Sequence, residues 1–257
     1  MVQEVRTRDP GLISYLTLRK FVGLIGILLP FALVIIHILL AHQAVLLGSV
    51  SGYYYTDVRG VLVGSLCAIG VFLFAYHGYD NWDNINWDNT LTNSAGVFAI
   101  GVALFPTAPV NPSAHAKDIG YVHLACAALL FAALAVISFW LFTRTDPVIG
   151  RTKQKKIRDL IYRGCGIVIA LCLVLVPIES LVIGAPIQGI HPLFWLEAIA
   201  VVAFGISWLV KGDTITILKD KSQSPGGKAT EPPGDDGGDA ATPSGPGPVD
   251  ELTASRS

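Results

Sequence analysis

The sequence predicts an all-α polytopic membrane protein: a six-helix transmembrane bundle with both termini on the cytoplasmic side and a disordered C-terminal tail. Three observations carry that prediction. First, 52% of the 257 residues are hydrophobic and only 14% charged, a composition too apolar for an ordinary soluble domain. Second, six apolar stretches run at about 21–41, 60–76, 91–105, 120–142, 165–183 and 194–210. Each approaches the ~20 residues a helix needs to cross ~30 Å of hydrocarbon. Third, sixteen of the eighteen Lys and Arg residues fall on one side of those stretches, leaving only Arg59 and Lys117 on the other. Such asymmetry sets orientation, basic side inward. Backbone polar groups cannot go unpaired in lipid, so continuous apolar runs must be helical. The alternating ten-residue segments of a β-barrel are missing.

Taken in order, residues 1–20 read as an amphipathic segment lying on the inner face, with Leu12, Ile13, Leu16 and Leu18 beside Arg6, Arg8, Arg19 and Lys20. The first span is too long for a signal-peptide core and lacks a small-residue cleavage site, so it reads as a retained helix. Pro30 should bend it, as Pro177 should bend the fifth span. An outer connection follows with His42, Ser49, Ser51, Tyr53, Tyr54, Tyr55 and Asp57, the last a candidate N-cap for span two. Span two opens on Gly60 and Gly64, a small-xxx-small spacing expected to pack helices within the chain. The acid- and amide-rich connection at 80–89 lacks the Gly and terminal Glu of a calcium loop and reads as a structural turn.

The second outer connection holds His115 and Asp118, and His123 stands at the mouth of span four. The basic connection at 144–163 reads as a topology determinant resting on lipid headgroups, with no nucleic-acid partner implied. Trp140, Trp195 and Trp208 fit an interfacial aromatic belt. The four cysteines lie inside apolar spans and behave as small hydrophobes. Residues 213–257 form an inner tail, disordered from about 222, where Gly, Pro, Ser, Asp and Thr leave too little apolar surface to offset chain entropy.

With this topology the ionisable groups converge near the outer surface. Glu197 lies about one turn below it in span six, Glu179 about one turn from the outer end of span five, and Arg59 at the mouth of span two. Membrane carboxylates are costly and usually pair with a cation. A Glu179/Glu197/Arg59 cluster roofed by the tyrosines is the expected constellation, a pocket for a lipid headgroup or small molecule. The bland alternative is that these groups merely pin helix ends at the interface.

Five histidines (37, 42, 115, 123 and 191) also fall in the outer half, which raises a metal-dependent lipid hydrolase as the alternative. No His-x3-His or Glu-x-x-His pair preforms such a site, so neither a metal nor a cofactor is expected. There is no nucleotide-binding Gly loop, no nucleophile elbow, no Lys in mid-span and no internal repeat of the transporter kind.

Several segments together carry a resemblance: Ser49-Val50-Ser51-Gly52-Tyr53-Tyr54-Tyr55-Thr56 with Arg59 and Gly64; Ile69-Gly70-Val71-Phe72-Leu73; Phe105-Pro106-Thr107; Tyr162-Arg163-Gly164-Cys165-Gly166; and Phe194-Trp195-Leu196-Glu197 with 203–212. Over residues 20–212 the chain resembles an uncharacterised family of bacterial six-span membrane proteins. In layout it is also similar to the DRAM/Sfk-type group, although that group's Pro- and Glu-bearing loop pattern is missing. The resemblance implies a bacterial plasma membrane and a six-helix bundle, and it draws attention to Ser51, Tyr54, Arg59 and Glu197.

The sequence therefore points to a non-enzymatic membrane protein that binds a lipid, a small molecule or a partner protein. Ser51, Tyr54, Arg59, His123, Glu179 and Glu197 are its candidate ligand-binding residues. A structural subunit of a larger complex is the third possibility, which an exposed small-residue stripe on span two would signal.

Overall fold

The computed structural model describes residues 15–42, 45–76, 87–144, 152–182 and 191–212. The chain divides into Met1–Gln223 and Ser224–Ser257, and the second unit, with the expected disordered tail, lies outside the described residues. So do residues 1–14 of the amphipathic segment and 80–86 of the acid- and amide-rich turn.

The described residues form helices and their connections, without strands: α1 (Tyr15–Ala41), α2 (Arg59–Phe74), α3 (Trp87–Leu104), α4 (Ala114–Val136), α5 (Lys153–Val182) and α6 (Pro192–Lys211), with a 3₁₀ turn at Ser51–Tyr55. A π-helical turn, Ile137–Leu141, extends α4. Four segments are long and apolar enough to cross a membrane: Leu16–Ala41, Ala114–Leu141, Lys153–Glu179 and Pro192–Lys211. Helix α2, at 16 residues, spans about 24 Å. Helix α3 opens on the polar run Trp87-Asp88-Asn89-Thr90.

Helix ends depart from the apolar boundaries. Residues 15–20 continue α1 without a break. Ser113 caps α4, its hydroxyl accepting from Ala116 N at 3.2 Å. His115 and Asp118 therefore lie in the first turns of α4, where a connection was expected. Helix α5 takes in the basic residues from Lys153 to Arg163. Hydropathy marks where lipid begins; helices continue beyond it until capping stops them. Asp57 does not cap α2: the N-cap position is Val58, with no side-chain bond. Thr56 holds that corner, donating to Tyr53 O at 2.7 Å and accepting from Val58 N at 3.4 Å.

The helices pack as a ring in chain order, each against the next, with α6 closing on α1. Glycines permit the close crossings. A Cβ on Gly205 would meet Gly23 O at 2.6 Å and Ile27 N at 2.8 Å, fusing α6 to α1. Gly70 and Gly96 play the same part between α2 and α3, where a Cβ on Gly96 would meet Gly70 O at 2.9 Å. Gly60 and Gly64 do not: nothing lies within 4 Å of either, and both face outward. The expected intrachain role of that pair is thus corrected.

Trp208 is a second correction. It is 1% exposed rather than interfacial, buried in edge-on contact with Tyr76 and Phe142 at ring separations of 5.3 and 5.4 Å. Trp140 and Trp195 are 43% and 50% exposed, as an aromatic belt requires. Across the core, Ser207 Oγ donates to Phe204 O at 2.8 Å and lies 3.0 Å from Ser138 Oγ on the π turn. The two hydroxyls are thereby satisfied without water.

Candidate binding cavity beneath the first connection

The connection between α1 and α2 folds back over one end of the ring as a roof. Ser49 starts it: its hydroxyl accepts from Gly52 N at 2.9 Å, which nucleates the 3₁₀ turn at Ser51–Tyr55. Tyr53 faces inward with no exposed surface, against His37 of α1 at 5.5 Å and Phe194 of α6 at 6.3 Å between ring centres. Burial pushes its phenol above the usual value. Val50, Val58 and Leu62 complete a small apolar core with Leu29 and Leu33 of α1.

Glu197 of α6 fastens the roof. Its Oε2 accepts from Val50 N at 2.6 Å and Ser51 N at 3.1 Å, and its Oε1 from Ser51 Oγ at 3.3 Å. A helical turn begins with amides that lack internal partners, and a carboxylate satisfies them with charge-assisted bonds. On the far side Tyr55 Oη donates to Thr107 O at 2.6 Å, tying the roof to the connection between α3 and α4.

Beneath the roof, inside the ring, lies a cavity of about 70 Å³, several times the ~10–15 Å³ a single water needs. Its shaft is apolar, formed among others by Leu66, Val102, Ala127, Leu130 and Val201, while Ser51, Tyr54, His123 and Glu197 also line it. His123, 7% exposed, has Nδ1 at 2.6 Å from Phe105 O. Nδ1–H donates there to a carbonyl that the end of α3 leaves without a helical partner. Exchanging His123 for Phe should cost about 1–3 kcal/mol through that orphaned carbonyl. His123→Asn, whose amide nitrogen can reach the same place, should recover most of it in thermal unfolding of the detergent-solubilised chain.

Four of the six sequence-derived residues, Ser51, Tyr54, His123 and Glu197, thus line one cavity. Arg59 stands at the rim, its guanidinium 4.1 Å over the Tyr54 ring and bonded to the Tyr54 hydroxyl. The expected ion pair with a carboxylate does not form: among the described residues the ion pairs are Arg144–Asp88 and Lys155–Asp159. The roof amides already satisfy Glu197, and Arg59 stays exposed where water solvates it. Glu179, half-buried on α5, is not among the lining residues, and neither is any other residue of α5: α4 and α6 touch each other directly.

The histidines scatter: His42 at the exposed end of α1, His115 exposed on α4, and His191 at the N-cap of α6. Among the described residues no three His, Cys, Asp or Glu side chains converge as a metal would need. Sequence reasoning missed the backbone amides of Val50 and Ser51, the groups that hold Glu197, because an amide's readiness to donate leaves no mark in the sequence.

These features define a helical protein with four segments long and apolar enough to cross a membrane and a cavity roofed by its first connection. Beyond that class, comparison with protein-family models, with curated proteins and with solved structures finds no match.

Proposed function

We propose that this is a multi-pass protein of the bacterial plasma membrane in which all six helices cross the bilayer and both termini are cytoplasmic. In this reading the cavity opens toward the outer leaflet and binds, without catalysis, a membrane lipid or small amphipathic molecule. The basic residues support the orientation: Arg19, Arg144, Lys155 and Lys211 stand at the end opposite the roof. The parity is insensitive to the short α2, since α2 and α3 together return the chain to the side it left whether or not they cross fully.

The observation that carries the binding reading is the cavity itself, an apolar shaft topped by Ser51, Tyr54, His123 and Glu197. Sites for small molecules combine apolar walls with a few placed polar groups in this way. An acyl or alkyl segment would occupy the shaft, and the polar end would meet the Ser51 and His123 edge. Native mass spectrometry of the detergent-purified chain should find one retained lipid or small molecule per protein. Ala127→Leu, which fills the shaft, should lose it while the melting temperature holds. A wild-type chain carrying nothing, or an Ala127→Leu chain that retains as much, overturns the reading. The outward-facing Gly60 and Gly64 support a second reading, a subunit of a larger complex, which the same spectrum would reveal as an oligomer mass.

A further inference from the structure

The polar atoms that line the roofed cavity are nearly all hydrogen-bond acceptors. His123 is 7% exposed, and its Nδ1–H donates to Phe105 O at 2.6 Å. A neutral imidazole that donates from Nδ1 carries an accepting lone pair on Nε2. Among the described residues Nε2 has no partner, yet unlike His37 Nδ1 it keeps accessible surface. His123 borders the cavity, so that surface is cavity wall. Ser51 has one hydroxyl proton and two acceptors for it, Glu197 Oε1 and Ser49 Oγ, each at 3.3 Å. Glu197 receives its bonds from the roof and as a carboxylate has only acceptor sites to offer. Tyr54 Oη accepts from Arg59 and keeps a proton of its own at the rim.

A buried acceptor left without a donor carries its full desolvation cost. Nε2 therefore calls for an O–H or N–H from whatever occupies the shaft. An anion has none to give, and it would stand beside a Glu197 carboxylate that has no ion-pair partner among the described residues. An ammonium would carry its charge into a shaft walled by Leu66, Val102, Leu130 and Val201, where the roof already holds the carboxylate oxygens. A hydroxyl is neutral, and it both donates and accepts. Size narrows the rest of the molecule. The cavity measures about 70 Å³, less than half the ~150 Å³ of an engineered apolar cavity that holds benzene. A ring does not fit, whereas a short unbranched chain does.

We propose that the roofed cavity takes an unbranched primary alcohol, its hydroxyl donating to His123 Nε2 and its alkyl chain lying in the shaft. This rests on the binding role proposed above and adds to it the class of ligand.

The test is a thermal titration of the full chain, delipidated by exhaustive detergent exchange, with four probes of similar size. These are 1-hexanol, its isomer methyl pentyl ether, hexanoate and hexylammonium. Hexanol should raise the melting temperature saturably. The ether, which cannot donate, should bind at least tenfold more weakly, and the two ions more weakly still. His123→Asn keeps a donor for Phe105 O but places nothing where Nε2 stood, and should lose the preference for alcohol over ether. In His123→Gln the amide oxygen can stand in place of Nε2. That chain should melt at a lower temperature for want of the Phe105 bond and still keep the preference, which a merely structural histidine would not produce. Ala127→Leu should abolish the response to alcohol and ether alike. If the ether matches the alcohol, or either ion binds more tightly, while Ala127→Leu removes the response, the alcohol assignment falls and the binding cavity stands. If none of the four probes acts on the wild-type chain, both fall.

Discussion

Gly205→Leu should prevent the ring from closing. The added Cβ alone would stand 2.6 Å from Gly23 O and 2.8 Å from Ile27 N, both backbone atoms of α1 that no rotamer change can move. Even Gly205→Ala must push α1 and α6 apart, an overpacking cost of about 1–3 kcal/mol. Leucine adds a branched side chain to the same crossing and should cost more. In lipid the association of helices rests on close van der Waals packing, so separating them forfeits the main force that joins them. Thermal unfolding in detergent checks this against Gly64→Ala, where nothing lies within 4 Å. Equal stability of the Gly205→Ala and Gly64→Ala chains would show that the α1–α6 crossing is not the tight seam described.

Glu197→Ala should release the roof. The change leaves Val50 N–H, Ser51 N–H and the Ser51 hydroxyl without their acceptor, a loss of roughly 2–4 kcal/mol allowing for water that enters. At 1.4 kcal/mol per factor of ten, the open roof becomes more populated by tenfold or more. A cysteine at Val58, a position 1% exposed beneath the roof, reports the opening once the native cysteines have been replaced. Its labelling by a membrane-impermeant maleimide should accelerate at least tenfold in the Glu197→Ala background. Glu197→Gln can keep its carbonyl oxygen on both amides and turn its NH₂ to the Ser51 hydroxyl, which can accept; it loses the charge assistance alone and should fall between. An unchanged labelling rate would mean that Tyr53 packing and the Tyr55–Thr107 bond hold the roof without the carboxylate.

The helices were legible in the sequence at their centres and not at their ends. Apolar residues mark the centre of a helix, and each of the six stretches has a helix at its centre, with 21–41 and 194–210 lying wholly inside α1 and α6. The first turns of α4 and α5 are polar or basic, and only the Ser113 cap and the continuous backbone reveal them. In the site, polar residues at a common depth were legible, and Ser51, Tyr54, His123 and Glu197 line one cavity. Arg59 and Glu179 do not share the interior: one sits at the rim on Tyr54, the other on α5, which contributes no residue to the cavity lining.

By itself, then, the sequence determined an all-helical chain with segments apolar enough to cross a membrane, because lipid tolerates neither unpaired backbone nor many charges. The tertiary structure decided which face of each helix is inside. A glycine reads alike whether it meets a neighbour, as Gly205 does, or nothing, as Gly64 does. A tryptophan near a helix end reads as interfacial until the ring closes over Trp208. The partners of Glu197 and the contact of Arg19 with Lys211 O join residues far apart in the chain, through backbone groups and helix contacts that residue identity does not encode.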